Sequence, residues 1–189
     1  AFSEDPRLSG ILAAAYIRGV QAAGVAATPK HYVANDSETE RFTVDVAVDE
    51  RTLHELYLLP FEIAVREGRA WAIMSAYNSI NGATATENTL LDNPLRTDWG
   101  FDGVVVSDWT AVRSTASAAV GQDLEMPGPQ GAWGPALLAA VQAGEVSEDA
   151  IPAKVEYILL HAERVGGFAA PREREGTCVR EDRRRLARD

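Results

Sequence analysis

Hydrophobic and polar positions follow two rhythms along the chain. Short apolar runs climb into polar residues in GVAATPKHYV at 24–33, GRAWAIMSAYN at 68–78 and DGVVVSD at 102–108. Runs of this length, β-branched at the centre in the third case, fit strands covered on both faces. A fourth stretch, VGQDLEMPG at 120–128, carries the pattern weakly and reads equally as a loop. The other rhythm is helical. Over 5–23, Leu8, Ile11, Leu12, Ala15, Tyr16 and Gly19 recur near i, i+3, i+4 spacing, with Pro6 suited to a first turn and Gly24 to a stop. DERTLHELYLLPFEIAVREG places Leu53, Leu56, Tyr57, Pro60 and Ala64 on one face. Asp49 stands at its N-cap position, and Pro60 is expected to kink it. WGPALLAAVQAG and SEDAIPAKVEYILLHAERVGG complete the set, the second capped by Ser147 and ended by Gly166 and Gly167.

Strand and helix in alternation predict a parallel sheet of βαβ units. A complete (β/α)8 barrel takes about 250 residues and eight strands. Three clear strands and one doubtful one, after an opening helix, predict the later part of a TIM-like (β/α)8 barrel, incomplete, over residues 1–168. Residues 169–189 read as a linker or tail toward an absent second domain. Their composition changes sharply: 172–189 holds seven Arg and five acids, leaving eleven bases, twenty-three acids and a net charge of −12 in 1–171.

Composition narrows the function classes. A net charge of −10 argues against a nucleic-acid partner, which requires a basic surface. No apolar run approaches the ~20 residues of a membrane helix, so no membrane partner is expected. The single cysteine, Cys178, excludes an intrachain disulfide and a cysteine-based zinc site. The chain opens on Ala1 rather than Met, so the compartment is left open.

In parallel α/β folds, ligands sit at the carboxyl ends of the strands. That rule selects Lys30 and His31 after the first strand, Met74, Ser75, Tyr77 and Asn78 after the second, and Asp108 and Trp109 after the third. A carboxylate fixed at a strand end serves as nucleophile or base. A neighbouring Trp offers a flat apolar face to the C–H face of a sugar ring, while Lys, His, Arg and Asn hold hydroxyl groups. Neither a Gly-rich phosphate cradle nor HxH or HExxH spacing is present, so no metal or other cofactor is expected. Each residue also has a structural alternative. Asp108 suits the N-cap of a following helix. Lys30 suits a solvated surface, His31 a satisfied buried imidazole, Met74 and Tyr77 the core, and Trp109 plain packing. His54 and His161 fall inside helical patterns and are read as structural.

The segments, taken in order, resemble the N-terminal barrel domain of family 3 glycoside hydrolases, the β-glucosidase and β-xylosidase group. The matching stretches are FSEDPRLSG, KHYVANDSETER, VDERTLHELYLLPFEIAVREG, IMSAYNSINGATATEN, LRTDWGFDGVVVSDW and DLEMPG, covering 1 to about 168. The VANDSETER run favours the glucosidase-like branch over the N-acetylglucosaminidase branch, which carries Pro, Gly and a further His after its Lys-His pair.

The resemblance implies roles by position. Asp108, in the SDW motif, matches the catalytic nucleophile. Lys30 and His31 match a pair holding sugar hydroxyls beside the scissile bond. Arg41, closing the NxxExxR pattern, matches a substrate contact oriented by Glu38. Met74 and Tyr77 match pocket-lining positions, and Trp109 an aromatic wall. The implied activity is retaining hydrolysis of terminal β-linked glycosyl residues from a β-glycoside substrate. The general acid/base is expected on a C-terminal domain, and further sugar contacts on upstream strands, both outside the chain, so the chain alone is expected to be inactive. A β-xylosidase, a non-catalytic sugar-binding fragment, and a Schiff-base lyase using Lys30 are the alternatives.

Overall fold

The computed structural model describes residues 2–129 and 131–169. The expectations for Cys178 and the arginine-rich tail lie outside the described residues. Helix α1 (Pro6–Ala22) begins where the sequence places it: Asp5 accepts from the backbone N–H groups of Arg7 and Leu8, and Pro6 occupies the first turn. A short strand β1 (Asp45–Val46) follows. The second helical stretch starts as α2 (Glu50–Thr52), with Asp49 accepting from the Thr52 N–H. It widens into a π-helical segment (Leu53–Leu58) and continues as α3 (Leu59–Arg66). Pro60 has no N–H to offer the preceding turn, and the disruption expected there takes the form of the π turn. Widening also rotates the apolar face. Leu58 enters the core at 1% exposure, whereas Leu56, expected on the buried face, stays 42% exposed.

Next come β2 (Ala72–Ser75), β3 (Ser79–Ile80), β4 (Ala83–Thr84) and β5 (Val104–Ser107). Helices α4 (Pro135–Gln142) and α5 (Ala150–Arg164) close the described fold. Asp149, not Ser147, occupies the N-cap of α5; the Ser147 hydroxyl accepts the Asp149 N–H at 3.3 Å, two residues early. Gly166, at φ 75°, supplies the left-handed residue after α5.

β2 and β5 pair in parallel, Ala72 with Val104 through Ser75 with Ser107. The 24–33 stretch joins on the other side of β2 without forming a regular ladder. Tyr32 and Ser75 form one parallel bridge, the Tyr32 N–H donates to the Met74 carbonyl at 2.7 Å, and the Met74 N–H to the Pro29 carbonyl at 3.2 Å. Pro29 has no N–H with which to extend the pairing. The doubtful fourth stretch flanks β5 through a parallel Val106–Leu124 bridge. Four segments thus run parallel in chain order, the topology of consecutive barrel strands.

Side chains alternate across this sheet. Ile73 and Val105, both fully buried, face the core with Tyr32, Leu58, Ala64, Leu91, Leu95 and Trp99. Burial of each Ile, Val or Leu among them contributes about 1.5–3 kcal/mol. Helix α1 crosses α3 closely. A Cβ on Gly68 would meet the Ala64 carbonyl oxygen at 2.4 Å and Ala14 Cα at 3.0 Å, and one on Gly10 would meet Ile63 at 2.7 Å.

The sequence pattern does not foresee the second sheet, β1–β3–β4. β3 and β4 form a tight hairpin around Asn81 and Gly82, both at positive φ. β1 pairs with β3 in parallel, and the Asn81 side chain exchanges hydrogen bonds of 2.9 Å with the Val48 N–H and carbonyl.

Candidate active site

The buried strand β5 delivers Asp108 to the carboxyl rim, where its N–H donates to the Ser75 carbonyl at 3.0 Å. The residue is 9% exposed. Oδ1 accepts the Trp109 N–H at 2.7 Å. Oδ2 lies 3.0 Å from His31 Nε2. That approach is not aligned with a ring N–H, so among the described residues buried Oδ2 has no hydrogen-bond partner. The helix-cap alternative for Asp108 fails on the same geometry. No helix starts after it; the next helical turn, 3-10 Thr115–Ala119, is capped by Ser114.

His31 is half-buried. Desolvation holds its pKa below the ordinary 6.5, the Asp108 charge opposes that shift, and Lys30 and Arg41 reinforce it. Lys30 is exposed. With His31 it lines a cleft of about 620 Å³ shared with Glu4, Asn35, Asp36 and Tyr57. The His31 imidazole therefore stands between this cleft and Asp108. A larger apolar groove, about 1090 Å³, runs between α4 and α5 past Leu138, Val155 and Leu159, away from these groups.

Tyr77 also lies beside Asp108. Its pKa is raised, by desolvation first and then by the neighbouring Asp108. The Arg41 guanidinium stands 5.2 Å from the Tyr77 ring centroid, and the Phe42 ring meets the same ring edge-on at 4.7 Å. Glu38 reaches Arg41 only loosely, Oε2 to Nη1 at 3.7 Å, with the Glu38 side chain 84% exposed. Met74 pairs in register with Val106, both half-buried on the sheet face opposite Ile73 and Val105. The Trp109 ring is 59% exposed, which removes the reading of Trp109 as core packing.

Two strand-end residues from the wider list take structural positions. The Ser75 hydroxyl donates to Gln122 Oε1 at 2.7 Å, and Gln122 in turn donates to the Val105 and Leu124 carbonyls. Asn78 is fully buried and donates to the Val33 carbonyl at 3.1 Å. His161 keeps the structural place read for it, its Nδ1 3.3 Å from the Trp71 carbonyl. Sequence reasoning missed Phe42 and Arg113. Arg113 Nη2 donates to the carbonyls of Phe42 and Tyr77. A lone Arg in a polar loop carries no periodicity or spacing to mark it.

Parallel strand segments with their polar groups gathered on one carboxyl rim define part of a TIM-like (β/α)8 barrel. The chain belongs to glycosyl hydrolase family 3: the sequence model of that family's N-terminal domain matches residues 1–160. A β-glucosidase from Rhizobium radiobacter is 54% identical over 169 residues, covering 88% of this chain. The thermostable β-glucosidase B of Acetivibrio thermocellus is 49% identical over 160 residues, covering 84%. Among solved structures, β-glucosidase 3B from Thermotoga neapolitana in complex with glucose is 41% identical, with a TM-score of 0.84, over 88% of this chain and 24% of its own. DesR, a β-glucosidase from Streptomyces venezuelae in complex with D-glucose, is 38% identical, with a TM-score of 0.84, over 92% and 24%. The chain spans about a fifth of the length of these two curated relatives, 21% in each case.

Proposed function

We propose that the chain carries the nucleophile and part of the sugar pocket of a retaining β-glucosidase. The observation behind this reading is the state of the Asp108 carboxylate. One oxygen is pinned by the next backbone N–H; the other is buried 3.0 Å from His31 Nε2, and the Tyr77 hydroxyl stands close enough to interact with the carboxylate. A buried carboxylate held on a rigid strand end suits in-line attack on an anomeric carbon. Attack forms a covalent glycosyl-enzyme as the glycosidic bond breaks. A second carboxyl group, ~5–5.5 Å away in retaining enzymes, protonates the departing oxygen and then activates water for release. That acid/base belongs to a part of the protein beyond residues 1–168. We assign 1–168 to the barrel domain and 169–189 to the linker leading out of it.

Lys30, His31 and Arg41 hold the hydroxyl groups of the terminal sugar. Met74 and Tyr77 line its pocket, and Trp109 presents an exposed ring to one sugar face. Glucose is the sugar favoured, because the relatives are β-glucosidases and two similar structures contain glucose. Since family, motif order and rim geometry agree, β-xylosidase and bare sugar-binding readings rank behind this one. Lys30 lies outside contact with Asp108 in a cleft that also holds Glu4 and Asp36, an arrangement suited to hydroxyl binding rather than Schiff-base chemistry.

The test is a 2-deoxy-2-fluoro-β-glucoside with a good leaving group, applied to the full-length enzyme and followed by peptide mapping. The label is expected on the peptide bearing Asp108. Turnover of the glucoside with the label on another residue, or none, would remove Asp108 as nucleophile.

A further inference from the structure

We propose that Arg113 is a positioning residue of the sugar pocket, fixing Arg41 and Tyr77 relative to each other. The proposal rests on the glycosidase reading above. Arg113 does not touch Asp108; it acts through the two residues it braces. Three rim loops meet here. The first, 35–44, carries Arg41 and Phe42; the second, 76–78, carries Tyr77; the third, 109–114, leaves Asp108 and carries Trp109 and Arg113.

One nitrogen joins all three. Arg113 Nη2 donates to the Phe42 carbonyl and, at 2.9 Å, to the Tyr77 carbonyl. A terminal guanidinium nitrogen has two N–H bonds, one for each acceptor. The acceptors are chosen tellingly. Phe42 directly follows Arg41, and its ring rests on Tyr77 at 4.7 Å. The Arg41 guanidinium faces the same Tyr77 ring from 5.2 Å. Displacing the Phe42 carbonyl therefore shifts Arg41, and displacing the Tyr77 carbonyl shifts the ring beside Asp108.

The third loop is itself anchored, so Arg113 has a firm base. The adjacent Ser114 hydroxyl donates to Glu87 Oε1 at 2.8 Å, and its Oγ accepts the Ala116 N–H at 3.1 Å. The Thr86 hydroxyl reaches the Ala111 carbonyl at 3.4 Å. A brace of this kind sets where hydroxyl-binding groups stand before the sugar arrives, and misplacement by about 1 Å is enough to cost 10²-fold in rate.

The experiment uses the full-length enzyme with Arg113→Met, Arg113→Lys, Arg41→Met and the Arg41→Met/Arg113→Met pair. It reads kcat and KM for an aryl β-glucoside, 2-fluoro-glucoside labelling of Asp108, and Tm. For Arg113→Met the expected result is a KM raised roughly tenfold, with Asp108 still labelled. Arg113→Lys, which keeps a cation with several donors, recovers part of that loss. The paired variant loses less than the product of the two single losses, because both act on the same loop. A KM within twofold of the unmutated value in both Arg113 variants, whatever their Tm, overturns the proposal. So does a paired loss equal to the full product. Failure of the underlying glycosidase reading is separately visible as an unlabelled Asp108 in the unmutated enzyme, and it overturns this proposal too.

Discussion

The His31 imidazole stands 3.0 Å from Asp108, nitrogen Nε2 facing carboxylate oxygen Oδ2. Burial keeps that imidazole neutral to a lower pH than a free histidine, whose ordinary pKa is 6.5. Below that value the unfolded chain takes up a proton that the folded chain resists. Stability from the neutral ring is complete above about pH 6.5 and declines as the pH falls toward the lowered value. Acidification from about pH 7 to 5 should therefore lower the Tm of the unmutated chain more than that of His31→Gln, which has no proton to gain there. Thermal melts at a series of pH values check this, and equal slopes would refute it.

Asp108 links reactivity to stability. Among the described residues its Oδ2 lacks an aligned donor, and its Oδ1 accepts only from the adjacent Trp109 N–H, a local bond that contributes little to holding the fold. Asp108→Asn in the full-length enzyme is expected to lose at least about 10³-fold in kcat. Its unfolding free energy should stay within about 1 kcal/mol of the original or rise, the usual pattern where a functional group is poorly satisfied. Turnover assays and denaturant unfolding on one preparation measure both.

Close approach of α1 to α3 predicts a sharp response at Gly68. The added Cβ of Gly68→Ala meets backbone atoms, the Ala64 oxygen and Ala14 Cα, neither of which can rotate aside. A loss of about 1–3 kcal/mol is expected. The urea midpoint of the chain should fall accordingly. At Gly10 the added Cβ would meet Ile63 Cδ1 at 2.7 Å, Ile63 Cβ at 2.9 Å and Pro60 Cα at 3.2 Å; only the first can rotate aside, so Gly10→Ala should carry a cost of the same order.

A buried ion pair ties β5 to the segment after it. Asp123, 3% exposed, accepts from Arg96 and, at 2.7 Å, from the Val105 N–H. Arg96 also lies 3.7 Å from the Tyr157 ring centroid, which joins α5 to the pair. Desolvation raises the Asp123 pKa, while the Arg96 charge opposes that rise. Arg96→Leu strands the carboxylate and should cost about 3–5 kcal/mol in guanidinium unfolding.

Legibility in the sequence tracked how many residues shared one signal. Asp5, Pro6 and the spaced apolar residues marked α1 because cap, breaker and period agree. Val104, Val105 and Val106 marked β5, and with it the place of Asp108. The three two-residue strands were invisible, since two residues display no alternation. The π turn exchanged Leu58 for Leu56 in the core, a shift of face that a helical wheel of constant pitch cannot express. The 24–33 stretch promised a full strand, but Pro29 interrupts its donors.

At the rim, residues following strands were found by rule: Lys30, His31, Met74, Tyr77, Asp108 and Trp109. Arg41 needed the family resemblance, because it sits eight residues beyond its strand segment, 24–33. Arg113 escaped both approaches. Its partners are main-chain carbonyls, which any residue supplies and no sequence pattern records. Asn78 and Ser75 satisfied the positional rule yet turned inward, donating to the Val33 carbonyl and Gln122 Oε1.

The small β1–β3–β4 sheet has a bearing on how such a pocket diversifies. β1 ends the loop that carries Arg41, and β3 begins two residues after Tyr77. The Asn81–Val48 exchange and the Gly82 N–H on Asp45 Oδ1 at 3.0 Å stitch the two together. An insertion in either loop thus drags the other with it. On the reading proposed above, a change of sugar preference would revise both segments in concert, or unpick the stitching first.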